Sequence, residues 1–436
     1  MENLTVFDKA LKDFYHGDIV DYINNEHKMR DMFAKKGSGA VSADGRQVVT
    51  AAHVGRNQGV GSIGENKTLP LAGNEEIVNF SIPFRWTYGR VSFTGQVIKA
   101  SKTSKGAFTD VMTFAMENVK NNIGRQINRA LWGYGVGILA RVNGSHGGSA
   151  TTVALKSPGG FTGSENGARF ILDNEYIAVI RNSTPTSAAD SDIIGTAQQV
   201  TAKASDGSSV DLGATFGVAL NDDDMIVKAP AATDANTETS VNREPMGIPG
   251  LVDDGTFISS IFGLSRTTYP ILKSPTMNMG GASFSVIAAQ RMLDLIADKG
   301  GLGSKKDCNW FAHSSLVQEY EKVLIQVKRF VNEHGMSPDL GFDQTSDIEL
   351  CGFPIKKERM APYRNMYFVN KAHSRRYVNC EGEWVDIGGG VLQPIANKDA
   401  VVGQFRIYDN FQHLRYDTCG RMYGFGGVSI DVIEAE

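Results

Sequence analysis

Residues 93–140 read FTGQVIKASKTSKGAFTDVMTFAMENVKNNIGRQINRALWGYGVGILA, and the rest of the chain is organised around them. Phe108, Val111, Met112, Ala115, Val119, Ile123, Ile127, Ala130 and Leu131 recur at steps of three or four, the spacing of one apolar helix face. The pattern predicts a helix over 107–132, about 35–40 Å long at 1.5 Å per residue. Gly133, Gly135 and Gly137 come directly after it. Glycines that cradle a phosphate come after a strand and open a helix, so that the helix N-terminus meets the anion. These glycines lie at the opposite, C-terminal end, where the dipole is negative. Their spacing matches neither the dinucleotide fingerprint nor the Walker loop. They read as a helix stop that turns the chain, with Trp132 packed beneath.

Upstream, residues 76–100 alternate in the two-residue period of strands. Ile77, Asn79 and Ser81 alternate with Val78, Phe80 and Ile82, and Arg90, Ser92 and Thr94 with Val91 and Phe93. Tyr88-Gly89 reads as the turn between the two runs, which predicts a long β-hairpin with Phe84, Arg85, Trp86 and Tyr88 near its tip. A two-stranded hairpin is marginal alone in water, so these aromatics call for a partner surface. Before it, VGRNQGVGSIGENKTLPLAGNEE lacks periodicity and reads as an extended arm. Residues 5–36 carry helical spacing interrupted at His16-Gly17.

Downstream, 143–250 is turn-rich with short strands, and from 281 helices alternate with strands. Charge divides along the chain. Residues 99–141 hold seven basic and two acidic residues, whereas 182–242 hold two and nine. This predicts a basic strip that includes Lys120, Arg125, Arg129 and Arg141, facing something anionic, and an acidic module facing away from it.

The 436 residues carry a net charge of −4, so the chain as a whole is no magnet for polyanions. Four isolated cysteines (308, 351, 380 and 419) form no Cys-x-x-Cys, which excludes a zinc ribbon and a redox motif. The start at Met1 shows no basic-then-apolar leader and no run is long enough to span a bilayer, so free thiols in a reducing cytoplasm and no membrane partner are expected. The eight histidines are scattered, with no His-Glu-x-x-His and no Gly-x-Ser-x-Gly. Asp222-Asp223-Asp224 reads as a solvated turn before a strand rather than a metal cluster. No catalytic residue, cofactor site or metal site is expected.

Ordered arm, hairpin, long helix, then mixed α/β: in this order the sequence resembles the major capsid proteins of tailed bacteriophages, whose fold is shared with herpesvirus capsid floors and encapsulins. The resemblance is carried by 93–140, by EPMGIPGLVDDG (244–255), FAHSSLVQEYEKV (311–323) and CGFPIKKERMAPYRNMYFVN (351–370). It implies an α+β subunit. In it, 1–75 would be the N-terminal arm, 76–104 the E-loop hairpin and 105–142 the spine helix of the peripheral domain. Residues 143–250 would be a β-rich acidic insertion, and 251–436 the rest of the peripheral and axial domains. By the same resemblance, subunits self-assemble as hexamers and pentamers into an icosahedral virion capsid around double-stranded DNA, after synthesis in the host cytoplasm. Partners would be portal and scaffolding proteins, with room for a decoration protein, and the packaged DNA would be touched non-specifically.

The basic strip would then face the genome, and Phe84, Arg85, Trp86 and Tyr88 would contact a neighbouring subunit. Lys99 and Lys102 lie at the predicted hairpin's base, so a Lys–Asn cross-link of the kind some members form is not expected. Because the chain opens at Met1, proteolytic removal of an N-terminal scaffolding segment is not expected either. The alternative is an encapsulin-like compartment around a cargo enzyme, which a neighbouring cargo gene would distinguish.

Overall fold

The computed structural model describes residues 30–36, 45–57, 59–103, 111–163, 166–182, 184–230, 238–331, 348–386 and 390–428. The helical spacing expected before residue 30 and the position Phe108 lie outside the described residues. Strands β1 (Ala34–Lys36), β2 (Gln47–Gly55), β3 (Glu76–Pro83) and β4 (Arg85–Thr94) lead into helices α1 (Gly95–Thr103) and α2 (Val111–Leu131). The long helix expected over 107–132 is therefore described from Val111, about 30 Å of it. Ala115, Ile123, Ile127, Ala130 and Leu131 are buried along one side, as the three-to-four spacing requires.

The chain leaves α2 at Leu131 and passes through Gly135 and Gly137, both at positive φ (79° and 86°), where a side chain is disfavoured. Gly137 has a second reason. A Cβ there would stand 2.4 Å from the Ser240 carbonyl oxygen. Trp132 is buried beneath this turn against Tyr367 and Phe311, ring centroids 5.7 and 6.2 Å away.

The turn delivers the chain into a closed six-stranded barrel. Its strands are β5 (Ile138–Val142), β6 (Thr152–Lys156), β7 (Tyr176–Ile180), β8 (Ile193–Lys203), β9 (Ser209–Leu212) and β10 (Met225–Lys228), in the order β10-β5-β6-β9-β8-β7. Leu139, Val142, Val153, Leu155, Ile177, Val179, Val200, Val210 and Ile226 fill one cluster inside it. Closure pairs every strand on both sides and removes the free edges that short strands otherwise expose. The aspartates before β10 sit in a turn, where Asp222 and Asp223 pair with Lys156 and Asp224 with Arg181.

The remainder completes two sheets. After the small hairpin β11 (Ser260–Ile261) and β12 (Leu264–Ser265) come β13 (Thr276–Asn278), α3 (Val286–Lys299), β14 (Cys308–Ala312) and α4 (Ser314–Val331). The chain then forms β15 (Glu349–Leu350), β16 (Phe353–Lys357), β17 (Asn365–Asn370), β18 (Ser374–Trp384), β19 (Leu392–Pro394), β20 (Ala400–His413) and β21 (Gly420–Tyr423). Six strands form the sheet β13-β21-β17-β14-β16-β15, on which α3 and α4 bury Met292, Ile296, Leu316 and Val317. The strands on either side of Ala361-Pro362 do not pair with each other. β16 and β17 flank β14, parallel and antiparallel to it. The second sheet runs β1-β18-β20-β19, with β4 also on β20.

Candidate assembly interface

The hairpin is not where alternation alone puts it. β3 pairs with β2, Gln47 opposite Pro83 through Gly55 opposite Glu76, whereas β4 pairs with β20, Arg85 opposite Asp409 through Thr94 opposite Ala400. The hairpin therefore spans 47–83, and its tip is the glycine-rich segment 56–75, expected from the sequence to be an arm. Asn57 gathers the two ends of this loop, its Oδ1 accepting from Gly59 N at 2.8 Å and Gly73 N at 3.0 Å. Beyond that knot Val60, Leu69 and Leu71 lie open, Leu69 at 79% and Leu71 at 92% exposure. The loop at the hairpin tip thus carries open aliphatic side chains that its own chain does not cover. Their only trace in the sequence is a few aliphatics in a polar stretch without a period, which no helix or strand template registers.

Phe84, Arg85, Trp86 and Tyr88 accordingly stand at the base of the hairpin, at the start of β4. Phe84 is buried, and its N–H donates to the Arg46 carbonyl at 3.1 Å. Burial also holds Arg85 below its ordinary pKa. Trp86 (62% exposed) and Tyr88 (56%) point to the other side of the sheet and pack edge-on around Tyr408 of β20, with centroids 6.4 and 5.9 Å away. The two tyrosine hydroxyls are 3.2 Å apart, and burial followed by this bond pushes the Tyr88 phenol up to about 12. Arg406 lies over the Tyr408 ring at 5.6 Å and is itself held by Glu383. The four residues thus divide into Phe84 in the core, a half-buried Arg85 and two members of an open aromatic cluster.

Tyr88-Gly89 is not a turn. Gly89 continues β4, and a Cβ on it would stand 2.6 Å from both Ile123 and Val119 of α2. The glycine is there so that helix and sheet approach closely.

The basic strip is likewise dispersed by the fold. Lys120 is exposed on α2 and Arg125 is half-buried. Arg129 is buried and ion-paired with Glu244, which also accepts from Gln126 at 3.1 Å. Arg141 belongs to the barrel, half-buried on β5, and donates to the Asp223 carbonyl at 3.5 Å. A buried, paired Arg129 is not part of an open cationic face, because its charge is compensated inside the subunit by the segment returning from the barrel. That segment packs close: a Cβ on Gly247 would stand 2.3 Å from the Gly133 carbonyl oxygen.

The barrel is docked on the body by Arg169, buried, whose guanidinium donates to the carbonyls of Arg359 and Ala361 (2.9 Å to the latter) and lies 4.1 Å over the Tyr363 ring. Among the described residues no group of three metal-ligating side chains converges, and no helix is long and apolar enough to cross a membrane.

No family model and no curated protein sequence matches the chain. Among solved structures it is similar to a chain of the cyanophage A-1(L) capsid asymmetric unit, with TM-score 0.53 and 12% identity over 94% of this chain and 97% of that one. It is also similar to the capsid of the native GTA particle (TM-score 0.47, 10% identity, 95% of each chain). A further likeness is to the holo-SrpI encapsulin complex of Synechococcus elongatus (TM-score 0.45, 7% identity, 99% of each chain). The first of these carries the fold. With nearly the whole chain following the course of that capsid subunit, the protein has the α+β major capsid protein fold of tailed phages, with a closed β-barrel set in after its long helix.

Proposed function

We propose that this chain is a capsid-shell subunit, the major capsid protein of a tailed double-stranded DNA phage. Copies close into hexamers and pentamers that tile an icosahedral shell, and the role is structural rather than catalytic. The observation that carries this reading is the likeness to the cyanophage capsid subunit across 94% of the chain. The 47–83 hairpin gives it a mechanism. As the E-loop, it lays Val60, Leu69 and Leu71 on an adjacent subunit, which covers a surface left open by its own chain. The Trp86–Tyr88–Tyr408 cluster offers a second apolar surface for such contacts. Many modest contacts per subunit sum to a stable shell.

The barrel, rich in acid, faces outward, away from the phosphates of the genome. Portal, scaffolding and decoration proteins are partners by the same reading, as is the packaged DNA, and assembly takes place in the host cytoplasm. Electron microscopy of the purified protein tests the proposal. Closed particles, or rings of five and six, are the expected result. A species that stays monomeric at every concentration, alone and in lysates, overturns it.

A further inference from the structure

Among the described residues β4 pairs with β20 alone, over all ten positions from Arg85 to Thr94 and without a register shift. In an antiparallel pair alternate residues turn their N–H and C=O to the partner, and the residues between them turn theirs away. Two bonds fix which are which. Gly95 N–H continues the register by donating to the Asp399 carbonyl at 3.0 Å, so the odd-numbered residues face β20. At the other end Phe84 N–H turns away from β20 and donates to Arg46. The backbone groups of Trp86, Tyr88, Arg90 and Ser92 therefore point outward from the sheet. Sheets guard such an edge with proline, lysine, a bulge or a cover. β4 has no proline, no lysine and no bulge.

The side chains beside this edge are open too, Trp86 at 62% and Tyr88 at 56% exposure. On the opposite face α2 lies close over Gly89. A second β4 does not fit there, because paired strands stand about 4.8 Å apart while packed helices such as α2 need about 8–10 Å. The occupant is a strand that carries no helix. The hairpin loop holds one. Leu69 and Leu71 are open, and neither makes a backbone hydrogen bond among the described residues. In an extended segment, residues two apart send their side chains to one face and their backbone groups to one edge. Pro70 between them turns to the other edge, where its missing N–H leaves no bond unmade. Leu-Pro-Leu can thus join a sheet on one side and end it there.

We propose that Leu69-Pro70-Leu71 of one copy adds to the β4 edge of a second copy as its outer strand, with the two leucines against Trp86 and Tyr88. Main-chain bonds to the outward residues supply affinity, and the leucine–aromatic contacts set the register. Asn57, by gathering Gly59 and Gly73, presents the segment at the end of its ribbon. Segment and edge are different surfaces, so each copy gives one and receives one, and the contact repeats head to tail. The inference rests on the shell reading and adds to it the surface that receives the hairpin and the pairing that holds it.

Disulfide trapping between full-length copies tests it. One preparation carries Leu71→Cys and the other Trp86→Cys or Tyr88→Cys, with the half-buried Cys351 and Cys380 changed to serine in all. Residues opposite each other in such a pair are within disulfide reach. A covalent dimer is expected in the oxidised mixture and in neither preparation alone. Arg90→Pro removes an outward N–H while keeping the β20 ladder, and should abolish the dimer. Leu69→Pro removes a donor from the other partner without touching any sheet, and should do the same. No mixed dimer overturns the proposal, as does a dimer that both proline variants retain. So does equal trapping by Ile287→Cys, an exposed position on α3 away from the edge. The dimer is scored whether or not particles close. A dimer without particles sinks the shell reading and leaves the pairing standing, and particles without the dimer do the reverse.

Discussion

Gly89 of β4 lies directly under Ile123 of α2, so close that a Cβ would stand 2.6 Å from the Ile123 methyl and as close to Val119. This contact sets how the long helix crosses the sheet. Gly89→Ala should therefore lower stability by about 1–3 kcal/mol through overpacking. Ile123→Ala made together with it should recover part of that loss, a coupling that urea unfolding of the two single variants and the double variant measures. Additive losses would mean that the two positions do not meet.

Arg129 and Glu244 tie the end of α2 to the segment that returns from the barrel. Both are buried, so removing one leaves the other charged and without its partner. Arg129→Met should cost about 3–5 kcal/mol, while Arg129→Met combined with Glu244→Leu should cost much less. If Arg129 instead served a DNA-facing surface, Arg129→Met would leave subunit stability unchanged and alter nucleic-acid binding alone.

Leu69 and Leu71 touch little of their own chain. Leu69→Ser/Leu71→Ser should leave subunit unfolding within about 0.5 kcal/mol of wild type. Assembly should nevertheless fail, seen by sedimentation as subunits in place of particles. Trp86→Ala probes the second surface in the same way. Normal shells with unchanged heat stability would show that the Trp86–Tyr88–Tyr408 cluster is no interface.

His313 and His413 are buried, and desolvation pulls both down to about 3. Their ordinary pKa is near 6.5, so the unfolded chain binds these protons first. Stability is thus fully present above about pH 6.5 and is lost as pH falls from there toward about 3. The slope is about 1.4 kcal/mol per pH unit for each histidine. His413 Nδ1 lies 3.0 Å from Ser374 Oγ, and His413→Gln keeps a polar partner for that hydroxyl. Denaturant unfolding at pH 7 and pH 5 should show a shallower decline for His413→Gln than for wild type. An identical decline would assign acid lability to other groups.

Much of the fold is legible in the sequence because it is local. The spacing of Ala115, Val119, Ile123, Ile127 and Leu131 specifies a helix whatever surrounds it, and the glycines after Trp132 specify its end. The alternation through Val91 and Phe93 likewise specifies a strand. What alternation lacks is the identity of the partner. β4 pairs with Ala400–His413, some three hundred residues away, and β3 with the strand before it, so the hairpin and its tip lie upstream of where alternation puts them. Gly89 shows the same limit at one residue. In sequence a glycine beside a tyrosine signals a turn, and only the helix packed on it shows that the missing side chain makes room.

Charge is the least legible property. Arg129 and Arg141 belong to one basic stretch of sequence, yet the first is buried against Glu244 and the second sits on a barrel strand. Helices and strands announce themselves because each segment carries its own period. Which strands pair, that six of them close into a barrel, and which charges stay open to a partner are settled only in three dimensions, because pairing and burial depend on residues far apart in the chain.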